Sequence, residues 1–322
     1  MKITRAIGTI AAAALLAGQA LAAQTVLSGP IRLLVPYAPG GGTDTLTRII
    51  APYISKEFGQ QVVVDNRPGG GGIIATQILA RAAPDGQTLS MIDTSFAVNP
   101  SLYGKLPYDT LKDFVAIVRV GTFPLVLCVH ASVPAKTLKE LVDLAKSSPG
   151  KLTYGSAGNG SGVHLAGEQL RVATGTHIVH VPYKGAAPQV ADLLGGQVTM
   201  GLMVQSLAKP HLATGRLRAL AITAERRTRA LPEVMTFAES GYPTVDVAAV
   251  NGLAAPAGTP SDYVQRLNAT IIRALRTQEV QDKLVELGIE PGGGSPADFS
   301  AWIREEIKKL AKVVQDANIK VE

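Results

Sequence analysis

Short apolar runs typical of β-strands alternate along the chain with segments whose apolar residues recur every three or four positions. Residues 31–35 form the first such run, and residues 46–58 carry apolar side chains at helical spacing. The pattern repeats with a strand at 62–64, a helix at 73–82 and a strand at 88–92. Alternation of this kind predicts an α/β protein with parallel sheets covered by helices.

A second series of strands and helices begins at Leu125. Its helices begin near Leu138 and Val163, and its expected strands are residues 125–129, 152–154, 178–181, 198–200 and 217–221. After Pro256 the pattern predicts three helices and no further strand, at residues 262–275, 279–287 and 296–318. Three helices without strands of their own are best explained as a cover for the first sheet.

If the last three helices return to cover the first sheet, the chain forms two lobes, and the first lobe is discontinuous. Lobe 1 is predicted to comprise residues 23–123 and 247–322, and lobe 2 residues 124–246. Because the chain then crosses between the lobes twice, we expect a hinge. Open α/β sheets bind ligands at the carboxyl ends of strands and the amino ends of helices, so a ligand is expected in the cleft between the lobes.

The first 22 residues have the order of a secretory signal peptide. Lys2 and Arg5 precede an apolar run at residues 10–17, and Ala20 and Ala22 provide the small residues that signal peptidase requires. The apolar run is shorter than the ~20 residues of a membrane-spanning helix. We therefore expect export to the periplasm, with cleavage near Ala22.

The composition limits the classes of partner. The formal net charge is +6, and Lys2 and Arg5 account for two of these charges, which leaves +4 after removal of the signal peptide. Basic residues form no run of five or six, so nucleic acid is not an expected partner. Cys128 is the only cysteine and lies in an apolar run, which excludes an internal disulfide and cysteine-based metal sites and predicts a buried hydrophobic role.

The loop at residues 36–44, PYAPGGGTD, lies between the first strand and the first helix. Its three glycines let backbone N–H groups approach a ligand closely, and Thr43 or Asp44 is placed to cap the helix. Free N–H groups at a helix start bind anions together with the helix dipole. A tight turn with a cap and no ligand is the alternative for this loop.

Two further glycine-rich loops precede helices. In residues 66–72 neither Lys-Ser nor Lys-Thr follows the glycines, so the phosphate-binding P-loop signature is absent, and Arg67 fits a surface role as well as an anion site. The loop at residues 154–164, YGSAGNGSGVH, offers hydroxyls, an amide and N–H groups at a helix start, which suit a carboxylate. His164 is either a ligand donor or a residue that packs the helix.

A fourth segment, residues 180–188, follows a strand and opens a helix. Tyr183 and Lys184 either reach the cleft from the second lobe, or Tyr183 packs at the hinge and Lys184 is solvated. An enzyme is not expected, because the five histidines show no metal-binding spacing and no loop combines a nucleophile with a base and an orienting residue.

Nine segments follow one another over nearly the whole mature chain: residues 36–44, 66–69, 83–86, 99–103, 106–109, 154–165, 180–185, 217–221 and 255–260. In this order they resemble the substrate-binding proteins of tripartite tricarboxylate transporters, the Bug receptor family. The resemblance implies a type II periplasmic binding protein, with two α/β lobes joined by two crossing strands and a ligand cleft between them.

The resemblance also implies a ligand, a partner and a set of binding residues. The ligand would be a small organic carboxylate and the partner an integral membrane permease, with a monomer that holds no cofactor or metal. Matched motif by motif, the ligand-binding residues are Tyr37, Gly42, Thr43 and Asp44 on lobe 1 and Ser156, Asn159, Gly160, Ser161, His164, Tyr183, Lys184 and Gly185 on lobe 2, with Thr94 and Ser95 as further candidates.

Two questions stay open at this level. Many relatives carry an aromatic residue two positions before Gly252, where this chain has Val250, so the pocket is expected to differ in shape if that aromatic forms part of its wall. A sensor that presents a bound carboxylate to a signalling receptor would use the same fold and cleft, and it is the alternative to transport.

Overall fold

Two β-sheets, each flanked by helices, divide the chain into two lobes. The structure, a computed structural model, describes residues 29–319, so the signal peptide predicted at residues 1–22 lies outside the described residues. The strands are β1 (Ile31–Val35), β2 (Val62–Asn66), β3 (Thr88–Asp93), β4 (Phe114–Phe123), β5 (Leu125–His130), β6 (Thr153–Ser156), β7 (Val179–Pro182), β8 (Met200–Val204), β9 (Leu217–Ile222), β10 (Ala249–Pro256) and β11 (Glu290–Gly293).

Ten α-helices of the described residues surround these strands. They are α1 (Gly42–Phe58), α2 (Ile73–Ala80), α3 (Thr94–Leu102), α4 (Leu138–Ser147), α5 (Gly162–Thr174), α6 (Ala186–Leu194), α7 (Gln205–Ala213), α8 (Ser261–Leu275), α9 (Gln278–Leu287) and α10 (Pro296–Asp316). A short 3₁₀ turn, Gly70–Gly72, precedes α2. Within residues 29–319 no helix is both long and apolar enough to cross a membrane.

The first sheet has the strand order β11-β4-β10-β3-β1-β2, and the second has the order β7-β6-β8-β5-β9. The chain leaves the first sheet along β4, passes Pro124, and enters the second along β5. It leaves the second sheet after β9 and returns along β10, which lies between β3 and β4. The two sheets are therefore joined by two crossings, at Pro124 and through residues 223–248.

The prediction of parallel sheets is correct for only part of each sheet. β1 pairs parallel with β2 and β3, and β6 pairs parallel with β7 and β8. β10 is antiparallel to β3 and β4, and β5 is antiparallel to β8 and β9. β4 takes the chain out of the first sheet and β10 brings it back in the opposite direction. β5 brings the chain into the second sheet and β9, antiparallel to it, is the last strand before the chain leaves. The two crossings therefore account for the mixed sheets.

β11 contradicts the prediction that no strand follows Pro256. Its sequence, EPGG, has no apolar alternation, and it forms by pairing with the outer edge of β4, where Glu290 faces Thr122. Pro291 is tolerated there because an edge strand leaves one side of its backbone unpaired. Residues 290–293 therefore form a strand because they pair with β4, and not because of their own strand propensity.

The helices after β10 cover the first sheet, as predicted. α8 and α10 pack against β4, and α10 also packs against α3. Their buried residues include Leu267 and Ile271 of α8 and Leu310 of α10, none of which is exposed to solvent. In the second sheet Cys128 of β5 is fully buried, and burial raises the pKa of its thiol to about 12.

Candidate functional site

A cavity lies between the two lobes, at the point where both crossings meet. Its polar and glycine lining consists of Tyr37, Gly41, Gly42, Thr43, Asp93, Ser161, Gly162 and Asn251. Its apolar wall consists of Phe123, Leu125, Ala157, Val163, Ala186, Met203, Val204 and Ala249. Phe123 and Leu125 flank the first crossing, and Ala249 follows the second, so a molecule in this cavity would contact both lobes and the hinge.

Three helices begin at this cavity. Gly42 is the first residue of α1, Gly162 of α5 and Ala186 of α6, and all three line the cavity. The first N–H groups of a helix have no partner within the helix. Gly41 and Gly185, which precede α1 and α6, supply no side-chain cap, so N–H groups of these helix starts are available to a ligand. Together with the helix dipoles they make the cavity favourable for an anion.

Asp44 holds the first glycine loop in shape. Its Oδ2 accepts hydrogen bonds from the Gly40 N–H and the Arg48 Nε, both at 3.0 Å, and its Oδ1 accepts one from the Asn66 amide at 3.0 Å. Burial acts to raise the pKa of Asp44, but the hydrogen bonds from Arg48, Gly40 and Asn66 outweigh it and hold the pKa below its ordinary value. Asp44 therefore positions residues 41–43 and does not itself line the cavity.

A hydrogen-bonded chain supports the lobe 1 side of the cavity. The Tyr37 hydroxyl donates to Oδ2 of Asp93 at 2.5 Å, and the Ser95 hydroxyl and N–H both donate to Oδ1 of Asp93. Burial raises the pKa of Asp93 above its ordinary value, against the opposing effect of the hydrogen bonds from Ser95 and Tyr37. Asp93 thus caps α3 and fixes the Tyr37 ring at the cavity.

In lobe 2 the glycine-rich loop is bonded mainly to itself. The Ser161 hydroxyl donates to the Gly158 carbonyl at 2.7 Å and accepts from the His164 N–H at 3.3 Å, so Ser161 caps α5. The Gly160 N–H donates to Nδ1 of His164 at 3.1 Å, which leaves it unavailable to a ligand in this arrangement. Ser161 and Gly162 remain in the cavity lining.

Two histidines stack beneath this loop. The ring centroids of His164 and His180 are 4.1 Å apart, the Tyr154 ring stacks on His180 at 4.8 Å, and Oγ of Ser156 lies 2.6 Å from Nε2 of His180. Burial lowers the pKa of His164 to about 4 and that of His180 to about 3. Both rings are neutral at neutral pH, so His164 packs the helix and orders the loop.

These buried neutral histidines predict a loss of stability in acid. In the unfolded chain both pKa values return to about 6.5, so the unfolded state binds more protons below that pH. The free energy of unfolding is expected to fall as pH drops from about 6.5 to about 4, by up to about 1.4 kcal/mol per pH unit for each histidine. Urea unfolding of the mature protein at several pH values measures this slope.

The matched variants for this test are His180→Gln and His177→Gln. The first removes one ring of the stacked pair, and the second removes a histidine at an exposed position. We expect a shallower slope for His180→Gln and an unchanged slope for His177→Gln. Equal slopes in all three proteins would show that the buried pair does not control the acid limit.

The structure distributes the predicted site residues over three kinds of position. Four line the cavity: Tyr37, Gly42, Thr43 and Ser161. Five support the lining from behind through the hydrogen bonds described above: Asp44, Ser95, Ser156, Gly160 and His164. The remaining five, Thr94, Asn159, Tyr183, Lys184 and Gly185, make other contacts.

Three of those five have side chains bonded or exposed away from the cavity. The Thr94 hydroxyl accepts a hydrogen bond from the Val250 N–H at 3.1 Å, which ties α3 to the start of β10. The Tyr183 hydroxyl donates to Asp192 at 2.8 Å within lobe 2, and the Lys184 side chain is exposed. In this structure neither Tyr183 nor Lys184 reaches the cavity, because the turn before α6 points both side chains into lobe 2 or solvent.

Backbone atoms make several of the contacts between the lobes, beside side-chain hydrogen bonds such as those from Arg171 to the Ala317 carbonyl at 2.6 Å and from Gln205 to the Gly288 carbonyl at 3.2 Å. The Ala38 N–H donates to the Lys184 carbonyl at 3.3 Å, Gly185 lies against Ala38, and Gly71 lies against the Asn159 carbonyl. We term these three contacts the closing seam. They place Asn159, Lys184 and Gly185 at the boundary between the lobes.

Asp93 and Asn251 are the polar lining residues that sequence reasoning missed. Asp93 directly precedes Thr94 and ends β3, so its place at the carboxyl end of a buried strand was a usable signal. Asn251 becomes recognisable only once β10 is known to lie between β3 and β4. The apolar wall gave no signal, because its residues have the same composition as the core.

Val250 faces away from the cavity. Side chains alternate along a strand, so Ala249 and Asn251 of β10 line the interlobe cavity while Val250 lies beside Trp302 and Phe299 inside lobe 1. An aromatic residue at this position would therefore extend into lobe 1. Val250 therefore forms no part of the wall of the interlobe cavity.

Two α/β lobes, two crossings and a cavity between them at which three helices begin define a type II periplasmic solute-binding protein. The profile of the family described as "Tripartite tricarboxylate transporter family receptor" matches residues 46–319. The chain belongs to this family, whose members are periplasmic solute-binding receptors and not enzymes.

Known relatives match along nearly the full chain. Protein BugT of Bordetella pertussis (strain Tohama I) is 36% identical over 325 residues, which cover 100% of both chains. The structure of R. palustris Rpa4515 with adipate is 36% identical, with a TM-score of 0.88, and the match covers 91% of this chain and 98% of that one. MatC from Rhodopseudomonas palustris with bound malate is 32% identical, with a TM-score of 0.85, and the match covers 89% and 99%.

Proposed function

We propose that the protein captures a small organic carboxylate between its lobes and delivers it to the membrane permease of a tripartite tricarboxylate-type transporter. The observation that carries this proposal is the start of α1, α5 and α6 at one cavity. Free N–H groups and aligned helix dipoles suit a carboxylate, and a polyphosphate would instead require Arg or Lys, which the cavity lining lacks. The adipate and malate bound by two relatives are of the same chemical class.

Capture requires the lobes to open and close. The closing seam joins them through a few backbone contacts, and the crossings at Pro124 and residues 223–248 provide the hinge. Closure around a solute is the established behaviour of periplasmic binding proteins.

We further propose that the mature protein begins near residue 23, acts in the periplasm and is a monomer. Mass spectrometry of the exported protein tests where it begins, and light scattering tests whether it is a monomer.

A panel of organic acids tests the binding step. Mature protein is melted with mono- and dicarboxylates of three to eight carbons, including adipate and malate, and with ATP as a polyphosphate. At about 100 times its dissociation constant, a bound acid adds about 2.7 kcal/mol of stability, which raises the melting temperature by several degrees. Stabilisation by ATP without stabilisation by any carboxylate would contradict the proposal.

The acid with the largest effect, termed the test acid, then allows two further measurements. Small-angle scattering is expected to show a smaller radius of gyration with the test acid than without it, because the lobes close. An unchanged radius of gyration despite binding would count against closure.

Uptake of the test acid by a strain that lacks this protein distinguishes transport from sensing, since only a transport role predicts that uptake is lost.

A further inference from the structure

Asn251 is buried at the cavity, and its side-chain oxygen has no hydrogen-bond partner. The residue is 1% exposed, it lines the cavity, and its Oδ1 accepts no hydrogen bond in the structure. Buried amides are normally paired, because an unpaired one loses its contacts with water and gains nothing in return. An unpaired amide oxygen on a residue that lines a ligand cavity points to a polar group on the ligand.

The position of Asn251 is fixed by the sheet on both sides. β10 places it opposite Asp93 of β3, so the two side chains lie on the same face of the sheet. The pairing of β10 with β4 shifts register between Asn251 and Gly252. Such irregularities commonly redirect side chains beside functional sites. The Asn251 amide is therefore held at the cavity by backbone geometry.

The surroundings of Asn251 limit the group it can bind. An amide offers one acceptor and two donors, and a hydroxyl can pair with either end of it, whichever way the amide is turned. An ammonium group needs three acceptors, whereas two hydrogen bonds from Ser95 to Oδ1 and one from Tyr37 to Oδ2 leave neighbouring Asp93 a single free acceptor site. A second carboxylate would lie beside Asp93, with no Lys or Arg in the lining to compensate its charge.

The opposite wall limits the rest of the molecule. Phe123, Leu125, Met203 and Val204 present apolar side chains to the cavity. A hydrocarbon body packs favourably on this wall because it is removed from water there. One carboxylate at the helix starts, a hydrocarbon body and a neutral polar group at Asn251 together describe one class of molecule.

We propose that the solute is a hydroxy acid with a single carboxylate, whose hydroxyl is hydrogen-bonded by the Asn251 amide. This inference rests on the proposed function, because the carboxylate end is assigned by it. Asn251 is accordingly the residue that determines specificity within the carboxylates. A site built to pair a hydroxyl discriminates against the analogue that lacks it, because the protein group is then left unpaired.

Matched acids test the proposal on the wild-type mature protein. Calorimetric titration compares butyrate with its three hydroxy derivatives, with 4-aminobutyrate and with succinate, and then the corresponding six-carbon set. At least one hydroxy acid is expected to bind about ten-fold or more tightly than its parent acid, the amino acid and the dicarboxylate. Parent acids that bind as tightly as every hydroxy derivative, or a dicarboxylate that binds most tightly, would overturn the proposal.

The variant Asn251→Leu tests the assigned residue. It is expected to reduce the preference for the hydroxy acid to within about three-fold while the parent acid still binds. The control is Asn99→Leu, because Oδ1 of Asn99 is also buried and unpartnered but the residue lies outside the cavity lining. The control should keep the hydroxyl preference, and a preference that survives in Asn251→Leu would assign it to another residue.

The outcomes separate this inference from the proposed function. Binding of carboxylates without a hydroxyl preference overturns the inference alone and shows that Asn251 holds at most a water molecule. Failure of every carboxylate to bind overturns the proposed function. If Asn251→Leu does not fold, Asn251→Ala takes its place, and the wild-type series remains decisive in either case.

Discussion

Replacement of Gly71 by alanine is expected to weaken binding of the test acid by about 100-fold or more, while each lobe still folds. Gly71 lies in lobe 1, and a Cβ at this position would overlap the carbonyl oxygen of Asn159 in lobe 2. That overlap exists only when the lobes are closed. A penalty of about 3 kcal/mol on the closed state corresponds to a loss of roughly 100-fold in affinity.

The control for this variant is Gly59→Ala. Gly71 has φ 56° and Gly59 has φ 65°, so an alanine is strained at both positions by about 1–2 kcal/mol. No atom lies within 4 Å of a Cβ at Gly59, so that variant tests strain without overlap. Calorimetric titration and scattering with the test acid measure affinity and closure. Equal affinities of the two variants would show that the closing seam does not limit binding.

The second large effect is expected for Asp44→Ala. The substitution removes three hydrogen bonds to a carboxylate, from Gly40, Arg48 and Asn66, and leaves the half-buried amide of Asn66 with one partner fewer. A hydrogen bond to a charged group contributes about 1.5–3 kcal/mol. We expect about 3 kcal/mol of lost stability and a ten- to 100-fold loss of affinity, because residues 41–43 are no longer held at the cavity.

Asp298→Ala is the matched control. The Asp298 carboxylate also accepts a backbone N–H, from Ser295 at 2.8 Å, but it does so in the capping box of α10 and outside the cavity lining. Its loss should lower the melting temperature and leave the affinity for the test acid unchanged. A comparable loss of affinity in both variants would mean that Asp44 acts only through global stability.

Much of the fold could be predicted from sequence because the apolar pattern is local. Strands such as β1 and β9 and helices such as α8 carry their signal in their own residues. β11 does not, since EPGG becomes a strand only beside β4, and the antiparallel pairs depend on the path of the chain between lobes. Pattern reasoning finds elements that bury their own apolar residues and misses elements created by a partner.

The candidate site was predictable to the extent that glycine-rich loops mark helix starts. This signal located Gly42, Thr43 and Ser161. It could not separate a residue that faces the cavity from one that supports it, as Asp44 and His164 do, because both kinds lie in the same loop. Asn251 was missed because a single amide within a hydrophobic strand has meaning only when the neighbouring strands are known.

The closing seam has a consequence for how such receptors diversify. The seam contacts of Ala38 with Lys184 and of Gly71 with Asn159 use main-chain atoms, and neither contact involves a side chain of the apolar wall. Substitutions at wall positions such as Leu125 or Met203 can therefore change the preferred solute without a compensating change in the motion. The seam contacts and the apolar wall thus use different atoms of the chain, which makes the same frame suitable as a biosensor scaffold.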